Sequence, residues 1–504
     1  MKESFYVAAD IGATRIKMAA AVYKKGRLHV RETYSQDNPP VRKQGHEFAD
    51  ISRMMEALRQ GLEKFSAKGT CISFGIDTYG NGYGLLDKAG NLIQEPHHYR
   101  DRRIDSVMEN VRRHYADRQL YEETGNIPVK TRGLFHLYQD VLEMSPNIRF
   151  GDHFLPLSNL LEYLMTGEKG TERTIASVLY LLDRMGEQWN YPVFHELGIP
   201  AGIFGPISEP GKKTGEISGG FGRESGLTGI PVITVAGHDT ESALLAAPGL
   251  DGSSAFVSLG TSFIFGARVE APVVNDQSFE NHFKNIRGAF GSYSLCKDFP
   301  GFWILERMME HWRKEQPDLS YETICRAVQS CGKNTSFIHV SDDRFRVTEA
   351  DLPSLIREYL RQTGQKPVEG LGETARCLFE SYALQLRWCL DKLSGITGVE
   401  YRKLVAVNGG VKNRLLLQMF ADATGLPVIA GSPLASACGN LLMQISAAGE
   451  AGTPEEMNQV AARSWAPETY ESRSSSYWVE RYQIIKQKGL FRETLSWTTE
   501  LKQN

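Results

Sequence analysis

The chain has 504 residues, enough for two or three domains, because a single hydrophobic core stops growing at about 250 to 300 residues. Apolar residues make up 41% and charged residues 23% of the sequence, which is typical of a folded globular protein and excludes bulk disorder. The formal net charge of −3 gives no basic excess, so we expect neither a nucleic-acid partner nor a membrane partner.

The start of the chain and its cysteines both predict a cytoplasmic protein. The first apolar run is short and leads into Asp10, which is not the layout of a signal peptide. No apolar stretch approaches the roughly 20 residues of a membrane helix. The seven cysteines are scattered without a Cys-x-x-Cys pair. We therefore expect reduced thiols.

The first half of the chain opens with a predicted β-hairpin. Residues 5–11 and 16–23 are apolar strands on either side of Gly12-Ala13-Thr14, and a second turn follows at 24–26. The next predictions are, in chain order, a polar stretch at 36–47, a helix at 49–66, a strand at 71–77, a hairpin with its turn at 88–91, a mainly helical region at 104–165, mixed helix and loop at 171–200, and a Gly/Pro-rich surface loop at 206–231.

The second half repeats the opening pattern. A strand at 232–236 leads through Gly237-His238-Asp239-Thr240 into a helix, and residues 255–270 form another strand, turn and strand. The later predictions are helices near 302–316, 352–363 and 371–394, a strand with a glycine turn at 403–410, a helix from 411, a strand at 427–431, a small-residue helix from 435, and a polar tail from 452 closing with one amphipathic helix. Since the two hairpin turns recur at Gly12 and Gly260, we predict a duplicated architecture around one cleft.

The hairpin turns are candidate phosphate sites. Successive backbone N–H groups in a tight turn form an anion nest, and small residues such as Ala13 allow close approach. Lys17 could supply a cation to the same anion, and Thr261 occupies the second turn. The alternative is an ordinary hairpin turn stabilised by its hydroxyl groups. Asp10 favours the functional interpretation, because a carboxylate ending a buried strand requires a cation such as Mg²⁺.

Asp239 is the candidate catalytic residue. It lies between a strand and a helix, at the edge where ligands bind in α/β proteins, and could accept a proton from a substrate hydroxyl. The alternative is an Asp that only caps the helix. His97-His98 could suggest a metal site, but adjacent side chains point apart and the sequence shows no third ligand. Tyr99 and Arg100 follow Pro96 at a position suited to a pocket rim.

These pieces, in this order, resemble the FGGY family of carbohydrate kinases. The matching segments are 10–17 (DIGATRIK), 75–80 (GIDTYG), 85–93 (LLDKAGNLI), 99–103 (YRDRR), 236–243 (AGHDTESA), 258–262 (SLGTS), 408–428 (NGGVKNRLLLQMFADATGLPV) and 435–440 (ASACGN). The resemblance implies an α/β fold of two actin-like (ribonuclease H-like) ATPase domains around a central cleft, with boundaries at 1–247 and 248–504. It also implies ATP and Mg²⁺ as cosubstrate and metal, a ketose as partner, and a monomer or homodimer.

Within the family the chain is most similar to members that phosphorylate the C1 hydroxyl of L-rhamnulose, and kinases of L-fuculose or pentuloses are the alternative. The resemblance assigns Asp239 as general base and Asp10 as the residue near the metal. It assigns sugar contacts to Gly80, Asp77, His238, Thr240 and Asp298. It assigns nucleotide contacts to Ala13, Thr14, Arg15, Lys17, Thr261, Glu306, Gly409 and Gly410.

Some positions depart from that group. Asp298 and Glu306 stand where its members tend to carry Asn and Gln, Arg287 is inserted in the segment 284–288, and Val411 replaces a glycine. Two other classes fit the fold less well. A non-catalytic sugar-responsive regulator would not need Asp10, Asp239 and both phosphate turns, and a chaperone-like ATPase would need a longer C-terminal region.

Overall fold

The computed structural model describes residues 3–332, 334–346, 351–473 and 476–491. Two large mixed β-sheets with helices on their faces form the framework, which confirms the predicted α/β class. The strands are β1 (Glu3–Ile11), β2 (Arg15–Lys24), β3 (Arg27–Asp37), β4 (Val41–Lys43), β5 (His46–Phe48), β6 (Gly69–Thr78), β7 (Tyr83–Leu86), β8 (His153–Pro156), β9 (Thr171–Glu172), β10 (Ile207–Ser208), β11 (Lys212–Glu216), β12 (Pro231–Thr234), β13 (Ser254–Leu259), β14 (Ser262–Val269), β15 (Lys284–Arg287), β16 (Tyr293–Pro300), β17 (Lys403–Val407), β18 (Val428–Ala430) and β19 (Glu468–Tyr470).

Helices pack against both sheets, and short 3-10 turns connect some of the elements. The helices are α1 (Ile51–Ser66), α2 (Val107–Val111), α3 (Asp117–Thr124), α4 (Gly133–Leu142), α5 (Pro146–Phe150), α6 (Leu157–Thr166), α7 (Arg173–Val178), α8 (Tyr191–Glu196), α9 (Gly219–Ser225), α10 (Asp239–Leu245), α11 (Asp276–Glu280), α12 (Phe302–Trp312), α13 (Tyr321–Ser330), α14 (Leu352–Gln362), α15 (Gly370–Thr397), α16 (Arg414–Thr424), α17 (Ala435–Ala447), α18 (Pro454–Ser464) and α19 (Ser476–Lys488). Within the ranges given above, no helix is both long enough and apolar enough to span a lipid bilayer.

The two sheets share one topology. In the first, the order is β11-β12-β6-β1-β2-β3, with β1 to β3 antiparallel and β6 and β12 parallel to β1. In the second, the order is β15-β16-β14-β13-β17-β18-β19, with β13, β14 and β16 antiparallel and β17 and β18 parallel to β13. The hairpins β1–β2 and β13–β14 therefore occupy equivalent positions in the two sheets, as the recurrence of their turns predicted.

Helices α10 and α17 join the two halves by close packing of small residues. A Cβ added at Gly439 of α17 would lie 1.7 Å from the backbone oxygen of Ser242 on α10. The Ser242 hydroxyl donates to the carbonyl of Ser436 at 3.0 Å. Helix α17 also reaches the first sheet, where Gln444 Nε2 donates to the carbonyl of Val7 at 2.8 Å. The glycine is required here because any side chain would separate the helices.

Several local predictions were incomplete. The polar stretch at 36–47 contains the end of β3 and the small hairpin β4–β5, and the loop at 206–231 contains β11 and α9. Strand β11 is polar (Lys-Lys-Thr-Gly-Glu) because it is the edge of the first sheet, where charges discourage pairing with other chains. An edge strand lacks the apolar alternation by which strands are detected in sequence.

Two further differences concern pairing between distant segments. Strand β7 pairs with β8, and its predicted partner after the 88–91 turn contributes a single bridge between Leu86 and Leu92. The tail contains α18 and β19, which were not predicted, before the helix α19, and Trp478 and Tyr482 of α19 are buried in the core of the second half. The buried residues of α19, which are Trp478, Tyr482 and Ile485, recur at helical spacing.

Candidate active site

The β1–β2 turn is open to solvent and braced from behind. The Gly12 N–H donates to the carbonyl of Arg15 at 2.9 Å, and Asn38 Nδ2 donates to the carbonyl of Gly12 at 2.9 Å. A Cβ at Gly12 would lie 2.8 Å from the Arg15 oxygen, so the turn requires glycine. Ala13 is half-buried and Thr14 exposed at the tip. Arg15 itself forms an exposed ion pair with Asp37 at 2.7 Å.

The β13–β14 turn is closed in the same manner and sits on the start of α12. The Gly260 N–H donates to the carbonyl of Ser262 at 3.2 Å. The Gly301 N–H donates to the carbonyl of Thr261 at 3.0 Å, which fixes the turn to the helix start. One turn further along α12, Glu306 is exposed and accepts from the hydroxyl of Tyr321 at 3.3 Å.

The glycine pair after β17 differs in its two members. A Cβ at Gly410 would lie 2.4 Å from a ring carbon of Phe302, whereas one at Gly409 would meet nothing within 4 Å. Asn408 precedes them with φ of 72° and donates through Nδ2 to the hydroxyl of Ser258 at 3.0 Å. Gly410 thus joins this turn to α12, and Gly409 faces open space.

Three carboxylates and one lysine meet at the ends of β1, β6 and β12. Asp10 pairs in register with Asp77 on one side and with Lys17 on the other, and Lys17 Nζ lies 3.5 Å from Asp10 Oδ2. Burial and then the charge of Asp10 raise the pKa of Asp239 to about 7. The same two causes hold the pKa of Asp77 well above its usual value. One lysine leaves an excess of negative charge, so this cluster can accept a cation or a proton.

Asp77 is completely buried behind this cluster. Its Oδ2 accepts from Asn440 Nδ2 of α17 at 2.8 Å, and its Oδ1 has no hydrogen-bond partner among the described residues. The motif at 435–440 does not by itself indicate that Asn440 meets Asp77, because their contact joins the two halves of the chain.

Asp239 is the first residue of α10, which follows β12 after the connecting residues 235–238. Thr240, which is buried, donates to Asp239 Oδ1 at 3.2 Å. His238 precedes it, and burial followed by the charge of Arg132 lowers the His238 pKa to about 3, so its imidazole is neutral. Gly80 has φ of 73°, and a Cβ there would lie 2.8 Å from the His238 ring. Sequence analysis missed Glu172, whose buried carboxylate accepts from the N–H of Gly237 at 2.9 Å.

Asp298 on β16 lies between two cations. Arg132 Nη2 donates to Asp298 Oδ2 at 2.7 Å, and Lys284 Nζ donates to the same oxygen. Burial opposes ionisation of Asp298, but Lys284 and Arg132 outweigh it and hold its pKa below the usual range. Its Oδ1 is buried without a partner in the described structure. Arg132 was not predicted, because it stands in a loop with no motif.

The structure also places the remaining residues that the sequence singled out. Arg287 pairs with Glu187 at 2.8 Å and stacks over the ring of Tyr293. Val411 is buried in the core of the second half. Tyr99, expected at the pocket rim, packs its ring 5.6 Å from that of Tyr79.

The sequence shows no third ligand for a metal site at His97-His98, but the structure places two potential ligands beside His97. His46, His97 and Asp101 each place one ligand atom within 4.8 Å of the others. His46 comes from the unpredicted strand β5, so sequence spacing could not have revealed the group.

Comparison with protein-family models gives two matches that together cover most of the chain. Residues 5–246 match the N-terminal domain of the FGGY family of carbohydrate kinases, and residues 255–448 match its C-terminal domain. A rhamnulokinase from Bacteroides thetaiotaomicron is 34% identical over 485 residues, covering 96% of this chain and 98% of the relative. A rhamnulokinase from Enterococcus faecalis is 30% identical, with 96% and 98% covered.

Solved structures share the fold. Xylulose kinase from Lactobacillus acidophilus superposes with a TM-score of 0.77 at 14% identity, covering 96% of both chains. Glycerol kinase from Plasmodium falciparum, solved with ADP, gives a TM-score of 0.76 at 14% identity, with 97% of both chains covered. The chain thus has the two-domain α/β arrangement of these kinases.

Proposed function

Since the chain belongs to the FGGY family of carbohydrate kinases, and is thus an ATP-dependent sugar kinase, we propose that it transfers the γ-phosphate of ATP to the C1 hydroxyl of L-rhamnulose. Rhamnulokinases at 34% and 30% identity over nearly the whole chain support this substrate. The observation that supports phosphoryl transfer to a hydroxyl is the raised pKa of Asp239, which follows β12. L-Fuculose and pentuloses are the competing acceptors.

Asp239 is the proposed general base. A carboxylate with a pKa of about 7 is ionised in useful amount at neutral pH and is basic enough to take the hydroxyl proton as the O–P bond forms. Its side chain is 28% exposed, so a substrate hydroxyl can reach it. The hydrogen bond from Thr240 orients its Oδ1.

The proposed phosphate site is the pair of hairpin turns. Neutralising the phosphates of ATP requires N–H groups and cations, and the open turn at Ala13 and Thr14, with Lys17 beside it, offers both. Thr261 offers the matching turn from the second sheet. To bind a phosphate, Arg15 would have to break its exposed ion pair with Asp37. The loss of that ion pair costs little free energy, because exposed ion pairs contribute about 1 kcal/mol or less.

Asp10 is the proposed Mg²⁺ residue. Its carboxylate supplies the hard oxygen ligands that Mg²⁺ prefers, and the excess negative charge that it shares with Asp77 and Asp239 fits a divalent cation. When bound, the ion would neutralise phosphate charge. Asp77 was expected to contact the sugar. Because it has no exposed surface, we propose that it supports Asp10 from the neighbouring strand, with which Asp10 pairs in register.

The proposed adenosine site is the Gly409–Gly410 turn. Gly409 leaves the backbone open to a flat base, and Gly410 anchors the turn on α12, which carries Glu306. The exposed carboxylate of Glu306 can accept from a nucleotide hydroxyl or amine.

The proposed sugar contacts are Gly80, His238, Thr240 and Asp298. Asp298 Oδ1 and His238 Nδ1 are both buried and unpartnered in the described residues, which suits hydroxyls that donate and accept. The close approach of Gly80 to the His238 ring fixes that imidazole. Closure of the cleft would exclude water from the phosphate.

We also propose domains at 1–247 and 248–504, a cytoplasmic location, and a monomeric or homodimeric state. Size-exclusion chromatography with light scattering measures that state directly.

The experiment that tests the substrate is a panel of ketoses with Mg²⁺-ATP, read as sugar-dependent ADP release. The panel contains L-rhamnulose, L-fuculose, L-ribulose and D-xylulose. We expect the highest kcat/KM for L-rhamnulose and none for its 1-deoxy analogue, which lacks the accepting hydroxyl. A higher kcat/KM for another ketose would show that L-rhamnulose is not the preferred substrate. Phosphorylation of the 1-deoxy analogue would contradict transfer to the C1 hydroxyl. Sugar binding without ADP release would contradict the proposed kinase activity.

A further inference from the structure

Three potential metal ligands converge where the β4–β5 hairpin meets the segment 96–101. His46 Nδ1 lies 3.1 Å from Asp101 Oδ1, and His97 Nδ1 lies 3.7 Å from Asp101 Oδ2. One ligand atom from each of the three residues lies within 4.8 Å of the other two. Of the residues the structure describes, these form the one group of three or more histidine, cysteine or acidic side chains with this spacing.

The backbone holds the three residues in place. Phe48 of β5 forms a bridge with His97, and the His98 N–H donates to the carbonyl of Glu47 at 2.8 Å. The Asp101 carboxylate accepts from the Glu47 N–H and, at 2.8 Å, from the Arg103 N–H. Backbone donors of this kind orient a ligating carboxylate and leave its remaining lone pairs free.

The buried Nδ1 atom of His97 is the strongest single indication of a ligand at this site. It has no hydrogen-bond partner in the described part of the chain. A buried polar nitrogen without a partner is costly unless something else occupies its lone pair or proton.

We propose that His46, His97 and Asp101 bind one Zn²⁺ ion, with water completing a tetrahedral site. Ligands about 2.0 to 2.1 Å from zinc lie roughly 3.4 Å from one another. His46 Nδ1 lies 3.1 Å from Asp101 Oδ1 and His97 Nδ1 lies 3.7 Å from Asp101 Oδ2, so one imidazole must shift toward the oxygen that binds the ion. The two imidazoles must approach each other, and His46, which is 44% exposed on a short hairpin, can move. Two imidazoles and one carboxylate favour zinc over Mg²⁺, which prefers oxygen ligands.

The positive charge of Arg103 does not prevent a cation from binding here. Arg103 Nη1 forms ion pairs with Asp140 at 2.8 Å and with Glu143 at 3.0 Å, which compensate its charge. The ion would fasten the β4–β5 hairpin to the segment that continues into Tyr99, whose ring packs against Tyr79 beside the proposed sugar pocket. The zinc is therefore structural and separate from the carboxylates near Asp10.

The test uses the full chain, freed of metal by a chelator and kept in millimolar Mg²⁺ without sugar or ATP. Co²⁺ is titrated as a spectroscopic probe, and Zn²⁺ affinity and stoichiometry are measured against a chromophoric chelator. We expect one tight Zn²⁺ per chain, an intense visible Co²⁺ spectrum typical of tetrahedral coordination, and a higher melting temperature with zinc.

The informative variant is His46→Gln, which keeps a donor to Asp101 but removes an imidazole from an exposed position. Its Zn²⁺ affinity should fall by more than about tenfold, because even outer partners of metal ligands contribute that much. His114→Gln is the matched control, since His114 also pairs with a carboxylate, Glu196, at 3.0 Å. It should bind zinc like the wild type.

Three results would overturn the site: no tight Zn²⁺ in the wild type, equal affinity in His46→Gln, or a thiolate-to-Co²⁺ charge-transfer band that assigns the metal to cysteines. Sugar kinase activity does not enter these measurements, so failure of the zinc site and failure of the proposed substrate are separate outcomes.

Discussion

Replacing Asp239 by Asn should make the protein more stable and far less active. The substitution keeps the size of the side chain and its position at the start of α10, and removes one charge from a cluster in which Asp10 and Asp77 are the other carboxylates. The wild-type carboxylate is held in an environment that opposes its ionisation. The same environment makes it a suitable proton acceptor, so stability and catalysis change in opposite directions.

The pKa of Asp239 sets the size of the stability effect. A folded-state value of about 7 against an ordinary value of 3.8 is a difference of about three units, or at most about 4 kcal/mol of unfolding free energy. Because the folded pKa is the higher one, this contribution is present below pH 3.8 and is lost as the pH rises through 7. Asp239→Asn should therefore unfold at higher denaturant concentration than the wild type at pH 8, and at the same concentration near pH 4.

The loss of the base sets the effect on turnover. A positioned general base contributes about 10² to 10⁴ to the rate, so kcat should fall by at least a hundredfold. In the wild type, kcat/KM should fall tenfold per pH unit below about pH 7, where Asp239 becomes protonated. The variant should lose this dependence.

The assays are sugar-dependent ADP release from pH 5.5 to 8.5 and denaturant unfolding followed by circular dichroism. Asp276→Asn is the matched control, since it makes the same charge change at a side chain that is 81% exposed. It should retain wild-type turnover and stability. Turnover of Asp239→Asn within tenfold of the wild type would refute the assignment of the base, and lower stability at pH 8 would refute the electrostatic account.

Three other substitutions test the surroundings of the base. Gly80→Ala places a Cβ 2.8 Å from the His238 ring at a φ of 73°, so KM for the sugar should rise at least tenfold while KM for ATP stays constant. Gly439→Ala forces α17 away from Ser242 and should lower both the melting temperature and kcat. An unchanged melting temperature and an unchanged kcat would contradict the tight contact between α10 and α17. Asp298→Asn leaves two cations without their carboxylate and should raise KM for the sugar, measured at saturating ATP; an unchanged KM would exclude a sugar contact.

The sequence by itself determined the local elements that carry the candidate site. Apolar strands around small-residue turns at Gly12 and Gly260, and a strand ending before Asp239, are patterns within windows of about ten residues. Their repetition was enough to predict two equivalent sheets. Edge strand β11 and hairpin β4–β5 were not predicted, because short polar strands have no such pattern.

Only the tertiary structure decided which side chains meet. Asn440 reaches Asp77, and Arg132 reaches Asp298, across the two halves of the chain. Such pairs depend on sheet register and on the crossing of α10 with α17, which are long-range properties. The raised pKa of Asp239 has the same origin. Residue type and local position predicted a carboxylate at that edge, whereas its basicity follows from burial and from the neighbouring charge of Asp10, which the fold alone brings together.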